Sequence, residues 1–348
     1  MKRKWWLLIP VVLLVIVVVF LAGAWSMFGT QVKAAGTVTK LEDRLYSLEY
    51  EGDYGFAEFL EQGGASSDAE MAEYIIAFLS HGFYSTEVSE TEKSYGCSAL
   101  SAVNESSDAV FGRNYDWDDC SAMIVYTKPD GAYESVSTAC LDFLGFEEGW
   151  KPEGMMNQMM ALAAVYLPLD GMNEKGLCVA DLMAGDKQET HQDTDKPDLT
   201  TVSAIRLLLD YAATVDEAVE LLSQYDMNSS IGSAHHFAIS DAQGNAVVVE
   251  WIDNEMFVTE TLAVTNHYLT PGSKFGIGSE ESHARYEKLM HARELSNGVL
   301  SEDAMRDTLQ QNSYEGETQW SIVYNQDALT IDFYWQRQYD SPISFTLD

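Results

Sequence analysis

Three residues in one short stretch have the types and spacing of a nucleophilic site. Cys97 is followed 16 residues later by Arg113 and 19 residues later by Asp116. Residues 104–108 are typical of a turn, and the runs on either side are typical of β-strands. The start of the first strand in a hairpin pairs with the end of the second, so we expect a thiol, a guanidinium and a carboxylate at one sheet end. The arginine would favour the thiolate, which is the attacking species. Taken alone, these residues also fit a structural cysteine beside a structural ion pair.

The spacing of these residues resembles a known family. Phe111-Gly-Arg-Asn-Tyr-Asp116 after Cys97 is similar to the pattern of the N-terminal-nucleophile hydrolases of the choloylglycine hydrolase and penicillin V acylase group. Further blocks follow in that family's order: Asp170-Gly-Met-Asn-Glu-Lys-Gly-Leu177, His236-Phe-Ala-Ile-Ser-Asp241 with Val247 to Glu250, Thr265-Asn266 and Ala284-Arg285-Tyr286. The resemblance covers residues 97–348.

The resemblance implies hydrolysis of a linear amide with Cys97 as nucleophile. Arg113 and Asp116 are then its neighbours, and Arg285 is the second arginine of the site. When the nucleophile is the first residue of its chain, its own α-amine, with a pKa of about 7.7–8.0, acts as the base for the thiol. The first oxyanion donor is expected to be the backbone N–H of Met183.

The second oxyanion donor departs from the family pattern. The family places an asparagine shortly before the His-Phe block, where this chain has Ile231-Gly-Ser-Ala-His-His236. Ser233 or His235 is expected to substitute, with Asn228 as an alternative. The resemblance also implies that Asn173 and Asn266 bind substrate. No metal or cofactor is expected.

The N-terminus predicts export. Lys2, Arg3 and Lys4 precede an uncharged run from Trp5 to Trp25, which as a helix at ~1.5 Å per residue reaches across a ~30 Å hydrocarbon core. The basic flank should stay in the cytoplasm. We therefore expect a single-pass anchor in the cell membrane with the catalytic domain outside. The alternative is a signal peptide cleaved after Ala24, which would secrete the protein.

Four segments are expected along the chain. They are an anchor or signal segment (1–25), a spacer without apolar periodicity (26–40), a propeptide-like segment (41–96) and a catalytic domain (97–348). Self-cleavage at Gly96–Cys97 would expose the α-amine. The expected fold is α+β, a four-layer αββα N-terminal-nucleophile hydrolase sandwich preceded by a transmembrane helix.

Several elements are predicted from local patterns. Apolar spacing predicts a helix from Asp68 to Leu79 and a Met-rich helix from Gly154 to Tyr166. Short β runs between Ala99 and Thr138 predict an antiparallel meander. The methionines from Met155 to Met160 are expected in a helix core, with an acyl-chain wall as the alternative.

The net charge and the expected chemistry limit the possible functions. The formal net charge of −35 repels polyphosphate backbones, so nucleic acid is not an expected partner. The expected partner is a small-molecule N-acyl amide. Two alternatives stay open: an acyltransferase of the same fold, in which an amine resolves the acyl-thioester, and a non-catalytic surface binding protein that kept the pocket.

Overall fold

The computed structural model describes residues 26–82, 96–144, 146 and 149–347. Within these residues no helix is both long and apolar enough to cross a membrane. The predicted anchor from Trp5 to Trp25 lies outside the described residues and stays a prediction.

Short strands and helices alternate along the described chain. The strands are β1 (Thr39–Glu42), β2 (Leu45–Glu51), β3 (Cys97–Val103), β4 (Ala109–Asp116), β5 (Ala122–Lys128), β6 (Ser135–Cys140), β7 (Asp170–Asn173), β8 (Cys178–Met183), β9 (Asp198–Thr200), β10 (Asp226–Asn228), β11 (His235–Ser240), β12 (Ala246–Ile252), β13 (Glu255–Glu260), β14 (Ala263–Val264), β15 (Thr318–Asn325), β16 (Thr330–Trp335) and β17 (Ile343–Thr346). The α-helices are α1 (residues 26–35), α2 (Phe56–Glu61), α3 (Asp68–Ser80), α4 (Met155–Ala161), α5 (Thr201–Tyr211), α6 (Val215–Leu222), α7 (Glu280–Leu295) and α8 (Glu302–Gln311).

Two mainly antiparallel sheets form the centre of the fold. The large sheet has the order β1-β2-β5-β6-β7-β8-β11-β12-β13, and the small sheet has the order β14-β3-β4-β15-β16-β17. One apolar core lies between the sheets, a second lies between the large sheet and α3, α5 and α6, and a third lies between the small sheet and α7 and α8. This confirms the predicted αββα sandwich.

Burial on both faces explains why the two strands next to Cys97 do not alternate between polar and apolar residues. Every residue of β4 and all but the last of β3 are buried, because one face of the small sheet meets the large sheet and the other meets helices. A strand covered on both sides has no solvent face, and its sequence therefore loses the alternation of polar and apolar residues.

The predicted meander is wrong. β3 pairs with β4 in the small sheet, whereas β5 pairs with β2 and β6 in the large sheet. Residues 117–121 between β4 and β5 cross from one sheet to the other instead of forming a hairpin. The physical reason is that β15 already occupies the free edge of β4.

The chain before Cys97 is built into the domain. β2 pairs in parallel with β5 over seven residues, from Leu45–Ala122 to Glu51–Lys128. The expected spacer is structured, because residues 26–35 are helical, Ala34 and Ala35 are buried, and β1 begins at Thr39. Small apolar residues suffice to pack a helix closely, although they give little apolar periodicity.

Two helix predictions had different outcomes. The helix from Asp68 is confirmed as α3, where the Ser67 hydroxyl accepts a hydrogen bond from the Glu70 N–H as N-cap. The Met-rich helix is α4 followed by a 3-10 turn (Leu162–Tyr166). Met155 and Met156 are 56% and 74% exposed, so they do not form a helix core, and the predicted position for them is wrong.

Candidate active site

The β3–β4 hairpin brings Cys97 beside Arg113 and Asp116, as predicted. Cys97 lies opposite Tyr115 in the ladder, and Ala99 lies opposite Arg113. The side chains of Arg113 and Asp116 are buried. Arg113 approaches the sulfur of Cys97 directly, whereas Asp116 binds Arg285, which acts on the nitrogen side through Asn266.

The sulfur side of Cys97 is defined by Arg113. Its Nη2 lies 3.7 Å from Cys97 Sγ and donates to the Asp181 carbonyl at 2.6 Å. Its Nη1 donates to Asp170 Oδ2 on the opposite sheet. A delocalised cation at this distance stabilises a developing thiolate, and the contacts to Asp170 and Asp181 fix its direction.

Asp170 is a buried carboxylate whose hydrogen bonds are satisfied from both sheets. Oδ2 accepts from Trp320 Nε1 at 3.0 Å as well as from Arg113, and Oδ1 accepts from Tyr324 OH at 3.2 Å and from the Thr138 hydroxyl. A buried charge of this kind needs such partners to offset its desolvation. Asp170 therefore anchors Arg113 rather than meeting substrate.

The nitrogen side of Cys97 is defined by Asn266 and Arg285. The Cys97 N–H donates to Asn266 Oδ1 at 2.8 Å, and Arg285 Nη2 donates to the same oxygen at 2.6 Å. Asn266 Nδ2 donates to the Met183 carbonyl at 2.8 Å. These partners set which way the amide points, because both donors face its oxygen and the carbonyl faces its nitrogen.

Asp116 orients Arg285. Its Oδ2 accepts from Arg285 Nη1 at 2.6 Å, and its Oδ1 accepts from the Thr318 hydroxyl at 2.6 Å. Burial raises the pKa of Asp116 to about 6, although Arg285 and Thr318 favour the carboxylate. Burial likewise raises the pKa of the Cys97 thiol, an effect that Arg113 opposes. In the uncut chain the thiol is therefore the favoured form, and a base is needed to activate it.

A small cavity, partly open to solvent, lies against Cys97. Its lining is mainly apolar and consists of Cys97, Tyr115, Trp117, Phe143, Leu169, Asp181, Met183, Ile231 and His235. Met183 ends β8, and N–H groups two residues apart along a strand point to the same edge. The Asp181 N–H bonds the Leu169 carbonyl, so the Met183 N–H points to that side as well, where the cavity lies. This position suits the predicted oxyanion donor.

His235 reaches the cavity but has both ring nitrogens engaged. Nδ1 lies 2.8 Å from Asp181 Oδ1 and Nε2 lies 3.0 Å from the Ser230 carbonyl. Burial lowers the pKa of His235, but Asp181 and Ser230 more than offset this effect, so its pKa is raised. Both partners are acceptors, so the geometry fits an imidazolium with neither N–H directed to an oxyanion.

The structure does not bring the other predicted polar residues to the cavity. Ser233 is buried in the turn before β11, outside the cavity lining of the described residues. Asn173 ends β7, three residues beyond Asp170, where its amide donates to the Leu209 and Ala212 carbonyls. Asn228 donates to Asp198 in the two-stranded sheet of β9 and β10. The predicted substrate role of Asn173 and the predicted oxyanion role of Ser233 are therefore not supported by their positions.

Asn266 brings a side-chain amide to Cys97. Its Oδ1 accepts from the Cys97 N–H, and its Nδ2 donates to the carbonyl of Met183, the residue whose N–H is the predicted backbone donor. The sequence signal for this residue is the Thr265-Asn266 block. The position of that block along the chain does not indicate that Asn266 contacts Cys97. Asp181 and the aromatic pair Trp117 and Phe143, with ring centroids 5.3 Å apart, were not anticipated.

Comparisons with known proteins define first the class and then the family. The fold is shared with a variant of the conjugated bile acid hydrolase of Clostridium perfringens, at TM-score 0.54 and 14% identity over 72% of this chain and 92% of that chain. A second variant of the same hydrolase matches at TM-score 0.53 and 13% identity, with the same coverage. The chain therefore has the α+β fold of the N-terminal-nucleophile hydrolases.

The sequence comparisons give the family. The model of the "linear amide C-N hydrolases, choloylglycine hydrolase family" matches residues 97–268, so this part of the chain is similar to that family. The penicillin V acylase of Pectobacterium atrosepticum is 30% identical over 99 residues, which is 26% of this chain and 26% of that protein. The matched stretch thus spans about a quarter of the curated relative.

Proposed function

We propose that this protein is an exported cysteine hydrolase that cleaves the C–N bond of a small-molecule N-acyl amide through an acyl-thioester on Cys97. The observation that carries the proposal is the convergence at Cys97. Arg113 lies 3.7 Å from its sulfur, and Asn266 lies 2.8 Å from its nitrogen. Both groups contact Cys97, which lines an apolar cavity.

Activation requires a free α-amine at Cys97. In the intact chain that nitrogen is a peptide N–H that donates to Asn266, and an amide nitrogen is not a base. We propose that Cys97 Sγ attacks the Gly96 carbonyl carbon and that the thiol proton moves to the Cys97 nitrogen as the C–N bond breaks. Water then hydrolyses the thioester and releases the Gly96 carboxylate and the Cys97 thiol.

The surroundings of Gly96 support cleavage at this bond. The Asp116 N–H donates to the Gly96 carbonyl oxygen at 3.0 Å, where negative charge develops during attack. A Cβ at Gly96 would lie 2.9 Å from Arg285 Nη2. Arg285 is held by Asp116 and Asn266 and cannot easily withdraw, so glycine leaves the carbonyl in place.

The same groups then serve amide hydrolysis. The α-amine takes the thiol proton as Sγ attacks the substrate carbonyl, and it returns that proton to the leaving amine. The Met183 N–H and Asn266 Nδ2 are the proposed donors to the oxyanion. Losing one such donor typically lowers the rate about 10²–10³-fold. Water, deprotonated by the α-amine, finally releases the acid.

The cavity indicates the kind of acyl group. Tyr115, Trp117, Phe143, Leu169 and Met183 supply apolar walls, which favour an uncharged, apolar or aromatic acyl group. Similarity to a penicillin V acylase and to conjugated bile acid hydrolases supports an acyl amide as substrate.

The segment before Cys97 is expected to remain bound after cleavage. Tyr54 donates to both oxygens of the buried Asp210 at 2.7 and 2.8 Å, and Tyr46, Tyr50 and Phe59 lie in the outer core of the large sheet. All four cysteines lie at or after position 97. The two products would therefore be held together without a disulfide, and the predicted anchor would keep both at the membrane.

Intact-mass measurement and an amide panel test the chemistry together. A fragment that begins at Cys97 is expected for the wild type and for Cys178→Ala, a control at a buried cysteine outside the cavity. Cys97→Ala should give neither the fragment nor turnover, and Gly96→Ala should slow cleavage. A single uncut chain with full amidase activity would rule out the α-amine mechanism. Wild-type turnover by Cys97→Ala would overturn the whole proposal.

A separate experiment tests the location. External protease on intact cells should digest residues 97–348 while the predicted anchor remains in the membrane fraction. Protection of the domain in intact cells, with ready digestion in a lysate, would contradict export.

A further inference from the structure

One wall of the cavity at Cys97 has a strained backbone. Ile231 lines the cavity and has φ +48°, in the left-handed region that β-branched residues rarely adopt. Such a conformation costs on the order of 1–3 kcal/mol and persists only where neighbouring groups impose it. The groups that impose it therefore control the shape of this wall.

The main restraint on Ile231 comes from the chain before the nucleophile. Asp68, at the start of α3, accepts from the Ile231 N–H at 2.9 Å through Oδ2 and from the Ser230 hydroxyl at 2.7 Å through Oδ1. A second restraint on the same loop is the Ser230 N–H, which donates to the Thr201 hydroxyl at 3.0 Å. Of these two restraints, the one from Asp68 joins residues on opposite sides of the Gly96–Cys97 bond, whereas Thr201 lies on the same side of that bond as Ser230.

The restrained loop also supports the polar side of the cavity. The Ser230 carbonyl faces His235 Nε2, and His235 Nδ1 faces Asp181. The Asp181 carbonyl in turn accepts from Arg113, the neighbour of the Cys97 sulfur. A shift of Ser230 would therefore reach His235 and Asp181, both of which line the cavity.

We propose that Asp68 is a positioning residue that sets the acyl selectivity of the Cys97 site by holding Ser230 and Ile231 from the segment that precedes the nucleophile. The inference rests on the proposed amide hydrolysis and deepens it. Once Gly96–Cys97 is cut, the acyl-binding wall of one chain is shaped by a carboxylate of the other. The preceding segment then acts as a lasting part of the substrate site.

The test compares Asp68→Ala with Glu70→Ala in the full-length protein. Glu70 also lies in the first turn of α3, and its carboxylate accepts from the Ser66 N–H and hydroxyl. Both variants remove one acidic group from the same helix start, but only Asp68→Ala loses the contacts to Ser230 and Ile231. Asp68→Asn is the milder variant, since it keeps one acceptor for Ser230 and loses the acceptor for the Ile231 N–H.

Two readouts are needed. In hydrogen–deuterium exchange, the peptide containing Ile231 should exchange faster in Asp68→Ala and Asp68→Asn than in the wild type and in Glu70→Ala. With N-acyl glycines from acetyl to dodecanoyl, the ratio of kcat/KM between the longest and shortest substrates should change at least about tenfold in Asp68→Ala, mainly through KM. Ile231→Gly should change the same ratio, because it removes the side chain that lines this wall of the cavity.

The outcomes separate the inference from the function on which it rests. An unchanged selectivity ratio in Asp68→Ala, with Ile231→Gly altering it, would overturn the positioning role. Equal exchange at Ile231 in the Asp68 variants and in Glu70→Ala would overturn it as well. A wild type that hydrolyses no amide in the panel or elsewhere would contradict the proposed function, whereas the exchange experiment would still decide whether Asp68 holds the loop.

Discussion

The two sides of Cys97 are each held by a buried arginine, and the two arginines differ in their surroundings. Arg113, on the small sheet, pairs with Asp170 on the large sheet, and both are fully buried in the core between the sheets. Arg285, on α7, pairs with Asp116 at the end of β4 and touches Gly96. Asp170 has four hydrogen-bond donors, whereas Asp116 has two side-chain donors and a raised pKa of about 6.

This difference predicts that the two sides of Cys97 contribute differently to folding and to catalysis. The sulfur side is part of the contact between the sheets, so its ion pair cannot be broken without leaving a charge inside the core. The nitrogen side lies at the end of the strands, where the proposed cleavage breaks the Gly96–Cys97 peptide bond and creates a new amine. We therefore expect substitutions on the sulfur side to lower stability and activity together. Substitutions on the nitrogen side should lower mainly activity.

The largest effect is expected from Arg113→Met. It leaves the Asp170 carboxylate buried without its cation, which typically costs about 3–5 kcal/mol. The free energy of unfolding from urea titration should fall by that amount, and activity should be lost. The double variant Arg113→Met/Asp170→Asn should recover part of the stability but none of the activity. Recovery of both would show that Arg113 serves the fold alone.

Arg285→Met is expected to have a smaller effect on stability and a large effect on rate. Asp116 can respond by taking up a proton, because burial already raises its pKa to about 6 and the pKa rises further when Arg285, which favours the carboxylate, is removed. Asn266 loses the donor that orients its amide, so kcat should fall at least about 100-fold.

Arg293→Met is the matched control for Arg285→Met. Arg293 lies on the same helix, two turns further along, and its guanidinium packs near Gly298 instead of Gly96. Its kcat should stay near that of the wild type. Equal losses of stability in Arg285→Met and Arg113→Met would contradict the distinction between the two sides.

The sequence predicted the parts of this site that depend on local geometry. A turn between two apolar runs fixes which residues of a hairpin face each other, so Cys97, Arg113 and Asp116 could be placed together. Asp170 and Asp181 come from the other sheet, and no local rule gives the register between two sheets. For the same reason local patterns predict a meander after Asp116, although the chain crosses to the large sheet there.

The prediction of the second oxyanion donor shows a related difficulty. Order along the chain favours Ser233 and His235, because the family pattern has an asparagine shortly before the His-Phe block. Asn266 reaches Cys97 through β14, which pairs with β3. That pairing joins residues more than 160 positions apart, which only the folded chain reveals.

The smallest predicted effect concerns pH and acts on Asp116, which faces Arg285, Thr318 and Arg113. Its pKa is about 6 in the folded chain and 3.8 as an ordinary aspartate. A raised carboxyl pKa means that the folded state binds a proton before the unfolded state does, so this group adds stability as the pH falls from 7 towards 4. Between pH 7 and 5 the gain should be about 1 kcal/mol relative to Asp116→Asn, measured by urea unfolding.

Activity should respond to the same proton in the opposite direction. A protonated Asp116 no longer holds Arg285 as a carboxylate does. The contacts of Arg285 and Asn266 on the nitrogen side of Cys97 should then weaken, although the fold gains stability. Under the proposed mechanism the α-amine of Cys97, with a pKa of about 7.7–8.0, should by itself give log kcat/KM a slope of one on the acid limb. Below about pH 6 the slope should therefore steepen to two. A slope of one down to pH 5, together with the stability gain, would show that Asp116 titrates as described but that catalysis does not depend on its charge.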